Sequence, residues 1–185
     1  MLTLGIFNTY DRIKVVEAHY RGIARAAPIA YAYGYNLALV GFPYEFSQAE
    51  LVGFVRDNTT IGGSGAYLQR LHDERRLFAM DVPEKGFPAQ FGALVVTTSR
   101  PEPKKVVTSR EVAGMMARRK PLLILVGLGR KGLPKEYFEM AAYHLDITDG
   151  KGISLETCTA IGAVAARLAT LAECAGGPKG TMDTM

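Results

Sequence analysis

The feature that most limits what this chain can fold into is its alternation of short apolar runs with helix-start signals. Leu2–Phe7, Leu37–Val40, Phe91–Thr97, Leu122–Val126 and Tyr143–Ile147 each have the length and apolar content of a buried strand. Between them lie helical patterns. Asp11–Ala27 places Val16, Tyr20, Ile23 and Ala27 on one face, Pro28 ends or kinks it, and Gly34 stops the stretch after it. The capping boxes Ser47-Gln-Ala-Glu50 and Thr108-Ser-Arg-Glu111 open helices running to Val55 and toward Arg119. A charged helix spans Ala66–Leu77, Pro134 suits the first position of another, and Ser154–Glu173 reads as a long last helix. This order predicts an α/β fold with a mostly parallel sheet flanked by helices. Residues 1–175 are expected to form one domain, and 176–185, GGPKGTMDTM, a loose tail.

Composition narrows the classes. A chain of 185 residues can bury a substantial core, and a net charge of +4 inclines it weakly toward an anionic partner. Cys158 and Cys174 are far apart, and with His19, His72 and His144 they show no metal-ligand spacing, so no metal is expected. Two reduced thiols suit an intracellular protein. The start, MLTLGIFNTYD, has no basic leader or cleavage site. Ala26–Tyr44 is uncharged, yet Pro28, Gly34, Asn36, Gly41 and Pro43 interrupt it, which suits turns better than a membrane helix. A cytoplasmic protein without membrane contact is expected.

The stretch Leu122–Lys135, LLILVGLGRKGLPK, contains Gly127-Leu-Gly129-Arg-Lys-Gly132, the spacing of a dinucleotide-binding turn. Its context argues against NAD. That turn belongs after the first strand of its fold, whereas this one comes after the fourth predicted strand. The acid it needs should end the next strand, but Asp146 falls inside Tyr143–Ile147, and Pro134 lies close behind the last glycine. A second glycine turn, Asp149-Gly-Lys-Gly152, lies after the neighbouring strand, and the polar turn Thr97-Thr-Ser-Arg100 ends the one before. Three loops at the carboxyl ends of three strands either make a ligand crevice or are ordinary βα turns.

Three ordered stretches then bear on the choice. His19-Tyr-Arg-Gly-Ile-Ala-Arg25-Ala-Ala resembles an N-x-G-x-I-x-R-T-A segment. Leu123–Pro134 resembles a strand leading into G-x-E-x-x-G-L-P, and Ile153–Ile161 resembles S-L-N-V-S-x-A-x-x. Together they resemble the SPOUT family of S-adenosylmethionine-dependent RNA methyltransferases, its SpoU branch in particular, over most of the chain. The resemblance implies a C-terminal deep trefoil knot, a homodimer formed around the last helix, and tRNA or rRNA as substrate. It also implies that Gly127, Leu128, Gly129 and Gly132 surround the adenosyl group, with Thr97, Ile147, Gly152, Ile153 and Leu155 closing the pocket. The last helix agrees in part: Ile153, Thr157, Ile161, Val164, Leu168 and Leu171 form an apolar stripe, and alanines and Gly162 leave other surface small. A core helix in a monomer would look similar.

Arg25 stands at the family's arginine position, where a guanidinium can hold a phosphate; otherwise it is a solvated helix arginine. The chain departs from the pattern at His19 (for asparagine), Gly129 (for glutamate), Glu156 (for asparagine) and Cys158 (for serine), as a distinct archaeal subgroup would. Glu156 is either a general base or a cap of the last helix. Cys158 reads as a small buried residue rather than a nucleophile. Arg12, Arg21, Arg100, Arg130 and Lys131 are candidate RNA contacts, whereas Arg118-Arg-Lys120 suits a helix C-terminus. The main reading is a methyltransferase. The alternatives are a knotted protein that binds adenosylmethionine or RNA without catalysis, and an NAD-dependent oxidoreductase.

Overall fold

Leu2–Asn8 forms β1, and its buried residues pair on one side with β2 (Asn36–Val40) and on the other with β6 (Leu122–Leu128). This computed structural model describes residues 1–45, 47–129 and 131–176. Arg130, one of the candidate RNA contacts, and all of the expected tail except Gly176 lie outside the described residues. Gly176 itself closes the last helix, its N–H reaching Ala172 O and Glu173 O. Seven strands form one sheet in the order β3-β2-β1-β6-β4-β7-β5, with every pairing parallel. The remaining strands are β3 (Leu77–Met80), β4 (Ala93–Thr97), β5 (Val106–Val107) and β7 (Tyr143–Leu145). The helices are α1 (Glu17–Ala32), α2 (Gln48–Asn58), α3 (Ile61–Ser64), α4 (Ala66–Asp73), α5 (Ser109–Ala117), α6 (Lys135–Met140) and α7 (Thr157–Ala175).

Both faces of the sheet are covered, which parallel sheets require. On one face Ile23, Ala27, Leu51, Leu68, Val112, Ile161, Val164 and Leu168 pack against Leu4, Ile6, Leu37 and Ile124. On the other, Tyr137 of α6, Leu133 and Phe91 cover Phe7, Val40, Val96, Leu123 and Leu125. Each such aliphatic side chain, fully buried, contributes about 1.5–3 kcal/mol of transfer free energy. From β1 the chain passes through α1 to β2 in one direction, and from β6 through α6 to β7 in the other. The strand order therefore reverses between β1 and β6, where open α/β sheets leave a crevice at the carboxyl ends.

Several boundaries differ from the sequence expectation, each for a local reason. The first helix begins at Glu17 because the Asp11 carboxylate accepts the N–H groups of Ile13 and Lys14, at 2.7 and 2.9 Å, and closes a turn there. Pro28 sits inside α1, which continues to Ala32. The expected helix over Ala66–Leu77 stops at Asp73, and Leu77 begins the edge strand β3. Strand β4 starts at Ala93 because Ala89–Phe91 is a 3-10 turn and Gly92 has φ +73°. A Cβ on Gly92 would lie 2.0 Å from Pro121 O. Pro134 is the N-cap of α6 rather than its first residue. Strand β7 ends at Leu145, so Asp146 lies past it, and the last helix begins at Thr157, leaving Ile153 in the preceding loop.

Candidate functional site

The loops after β4, β6 and β7 converge with the start of α7 on a cleft of about 640 Å³, within the ~300–1,000 Å³ usual for small-molecule sites. Each loop is held differently. After β7, the Asp146 carboxylate accepts the Thr148 hydroxyl at 2.6 Å and the N–H groups of Thr148, Gly150 and Gly152 at 2.8, 3.0 and 3.0 Å. Burial alone would raise the pKa of this carboxyl, but these hydrogen bonds outweigh it and hold the group below its ordinary value near 3.8. Asp149, at φ +51°, ties the loop to two helices through the Ser109 hydroxyl at 2.8 Å and an ion pair with Arg167.

The glycine loop after β6 closes on its own backbone. A Cβ on Gly127 would stand 2.8 Å from Gly132 C and 3.0 Å from Leu133 N, so only glycine permits that approach. Thr157, the first residue of α7, fastens it: its hydroxyl donates to Gly127 O at 3.1 Å and accepts the Gly129 N–H at 3.2 Å. Gly129 adopts φ +130°, and a Cβ there would meet Thr9 Oγ1 at 2.8 Å and the Tyr10 ring at 3.2 Å. The glutamate of the resembled motif therefore has no room at this position.

A further wall comes from the segment after β1. The Asn8 side-chain amide donates to Asp11 O and Gly41 O, and its Oδ1 accepts the Tyr10 N–H at 2.9 Å. His19, fully buried, accepts the Val16 N–H on Nδ1, which leaves the Nε2 proton for Asn8 Oδ1 at 3.0 Å. Burial lowers the His19 pKa, only partly offset by Asp11, so the ring stays neutral. His19 is thus part of the packing of this loop.

Thr97, Gly127, Gly129, Gly132, Ile147, Ile153, Leu155 and Glu156 all line the cleft. Gly152 borders it through its bond to Asp146. Leu128 faces elsewhere: its side chain is buried against Gly22 of α1, and its carbonyl accepts the Thr9 hydroxyl. Glu156 caps α7, its carboxylate accepting the N–H groups of Cys158 and Thr159 at 2.9 and 3.2 Å. Arg25 is exposed on α1, with its guanidinium beside the Cys158 thiol. Burial and the Glu156 charge push that thiol up despite Arg25, which favours its protonated form. Lys131 lines the cleft, whereas Arg21 is paired with Glu17 outside it. Arg118–Lys120 precede β6 and so lie at the opposite end of the sheet.

Sequence reasoning missed Tyr10, Asp146 and Thr157. Asp146 was legible as an acid before a glycine turn, and Thr157 as a hydroxyl at a helix start; Tyr10 carried no signal. With Asp146 engaged by its own loop, no acceptor remains there for a ribose hydroxyl, and the helix after the glycine turn is only the six-residue α6, capped by Pro134. Among the described residues, no group of three or more His, Cys, Asp or Glu side chains could hold a metal ion.

This architecture is that of the SpoU-type methyltransferase fold. The chain is similar to the crystal structure of TrmJ from Z. mobilis ZM4, with a TM-score of 0.62 and 18% identity over 92% of this chain and 70% of that one. It is also similar to a TrmH/SpoU tRNA modifying enzyme from A. aeolicus, with a TM-score of 0.54 and 20% identity over 95% and 77%. A third similar structure is an AdoMet-bound rRNA methyltransferase from Sinorhizobium meliloti, with a TM-score of 0.54 and 20% identity over 90% and 55%. At such identities the likeness is one of fold. The chain belongs to the family described as protein of unknown function DUF531, which matches residues 2–169. An uncharacterized protein of Methanocaldococcus jannaschii is 46% identical over 165 residues, covering 89% of this chain and 91% of the relative.

Proposed function

We propose that this protein is an S-adenosylmethionine-dependent methyltransferase acting on tRNA or rRNA. The observation that carries the reading is the cleft at the strand-order reversal, where a glycine loop exposes backbone beside the apolar Leu133, Ile147, Ile153 and Leu155. Its volume and mixed lining fit an adenosyl group with a polar tail. When bound, adenosylmethionine would supply an electrophilic methyl group. The backbone at Gly127, Gly129 and Gly132 would hold the adenosyl moiety, and Thr97, Ile147, Gly152, Ile153 and Leu155 would exclude water from it. Leu128 supports that loop from behind.

Arg25 would hold an acceptor phosphate, and Glu156, which lines the cleft, would take the proton released from the acceptor atom. RNA modifying enzymes and an AdoMet-bound structure among the proteins of similar fold support both substrate and cofactor. The same reading includes a deep trefoil knot, supported by β6 and β7 pairing inside the sheet before α7 packs back on α1 and α5. It also includes a homodimer. Helix α7 is long and apolar enough to cross a membrane by composition, and it buries Ile161, Val164, Ala165 and Leu168 on the sheet side. Its remaining surface suits a second copy, in a cytoplasmic protein. One observation favours a binding protein without catalysis: the Glu156 carboxylate is engaged as a helix cap.

Transfer of tritiated methyl from adenosylmethionine to bulk tRNA and rRNA separates the two. Catalysis predicts that Arg25→Ala and Glu156→Gln each lower transfer by about a hundredfold or more while adenosylmethionine affinity is kept. Wild-type protein that binds the cofactor but transfers no methyl group to either RNA would leave the binding reading in its place.

A further inference from the structure

The cleft has two chemically different halves, set by the order of the strands. On the β4–β7 side lie Thr97, Ile147, Ile153 and Leu155, a lining of backbone and small or apolar groups. On the β1 side lies Tyr10, its ring against Gly129 of the glycine loop; Lys131 of that loop also lines the cleft, and Arg25 of α1 lies beside the Cys158 thiol. The first half suits a compact, partly apolar ligand. The second offers an exposed aromatic ring, and Lys131 brings a cation to the same cleft.

Tyr10 is 44% exposed although it lines the cleft, so its ring is not absorbed into the core. Its place is nevertheless well fixed. Asn8 holds its N–H, the Thr9 hydroxyl donates to Leu128 O at 2.6 Å, and the buried His19 ring meets it edge-on at 6.2 Å. Gly129 leaves it room, since any side chain there would press within 3.2 Å of the phenol ring. An aromatic ring fixed by its backbone and open to a cleft is the arrangement that stacks on a planar ligand with little ordering cost. With the Lys131 cation in the same cleft, the planar ligand that fits is a nucleobase carrying its phosphate.

We propose that the β1 half of the cleft is the acceptor subsite and that the Tyr10 ring stacks on the base of the acceptor nucleotide. This rests on the methyltransferase reading and adds to it a nucleotide turned out of its helix, held by its aromatic face rather than by base-edge hydrogen bonds. Stacking of this kind tolerates every base, so identity of the target would come from elsewhere in the RNA.

The test uses a fluorescein-labelled uridine dodecamer and the matching abasic ribose-phosphate dodecamer, titrated by anisotropy with saturating adenosylmethionine. Wild type should bind the uridine oligomer more tightly than the abasic one. Tyr10→Ala should lose roughly tenfold in affinity for the uridine oligomer and nothing for the abasic one. Tyr10→Phe should match wild type for both, which guards against a folding defect, and adenosylmethionine affinity should be equal in all three. Equal binding of the two oligomers by wild type, or unchanged uridine binding by Tyr10→Ala, would overturn the proposal. A selective loss of adenosylmethionine affinity in Tyr10→Ala would also overturn it, by placing the ring in the donor half. If wild type binds no adenosylmethionine, the methyltransferase reading falls, and the same oligomer comparison made without it still decides the role of Tyr10.

Discussion

The loop after β7 is held by carboxylates: Asp146 accepts four hydrogen bonds, and Asp149 binds Ser109 and Arg167. The loop after β6 is held instead by close contact of its own backbone and by the hydroxyls of Thr9 and Thr157. Both flank the same cleft, but they should fail differently. A carboxylate hub is sensitive to charge and pH, while a backbone contact is sensitive only to added volume. The glycine loop can therefore keep its shape across conditions that loosen the Asp146 loop.

The largest effect is expected at Gly127. Gly127→Ala forces a methyl group against Gly132, a contact that neither backbone can relieve cheaply, and should destabilise the fold by about 3 kcal/mol. Thermal unfolding should show the loss, and adenosylmethionine binding should disappear with it. Next is Asp146→Asn, which keeps the shape but turns a donor toward two N–H groups; about 2 kcal/mol should be lost at neutral pH. Because the folded carboxyl titrates below its ordinary value, its contribution is complete above about 3.8 and vanishes as pH falls through the lower folded value. The stability gap between wild type and Asp146→Asn should accordingly close in acid, while the gap for Gly127→Ala stays constant. His19 acts on wild type and variants alike. Its lowered folded pKa means that stability begins to fall once pH drops below about 6.5.

The smallest effect sharpens the comparison. Thr157→Val removes the hydroxyl that joins α7 to the glycine loop and should lose about 1 kcal/mol, with Thr157→Ser restoring it. Hydrogen exchange should accelerate at the Gly129 amide and stay unchanged at Gly150 and Gly152. Acceleration at all three would show that the loops open together rather than separately.

Much of this was legible from local pattern. The apolar runs marked β1, β2, β4, β6 and β7, and the capping boxes marked α2 and α5, because each depends on neighbours in sequence. Strand β3 was hidden because Leu77–Met80 is a half-exposed edge just after a helix without a terminating glycine, and β5 has only two residues. Thr97, Gly127, Gly129, Ile147 and Leu155, which the family resemblance grouped together, line one cleft. Their meeting, however, depends on β4 pairing between β6 and β7, which no local signal encodes. The direction of the Leu128 side chain was hidden for a related reason. Alternation along β6 turns its side chain to Gly22, a partner that lies more than a hundred residues earlier. Tyr10 reaches the cleft only because β1 neighbours β6, so its place could not be read from the chain.

The most direct test of the central claim is a calorimetric titration of the purified protein with S-adenosylmethionine and, in parallel, with NAD. The cleft geometry predicts micromolar binding of adenosylmethionine that Gly127→Ala abolishes, and no binding of NAD. Binding of NAD, or failure to bind adenosylmethionine, would contradict it.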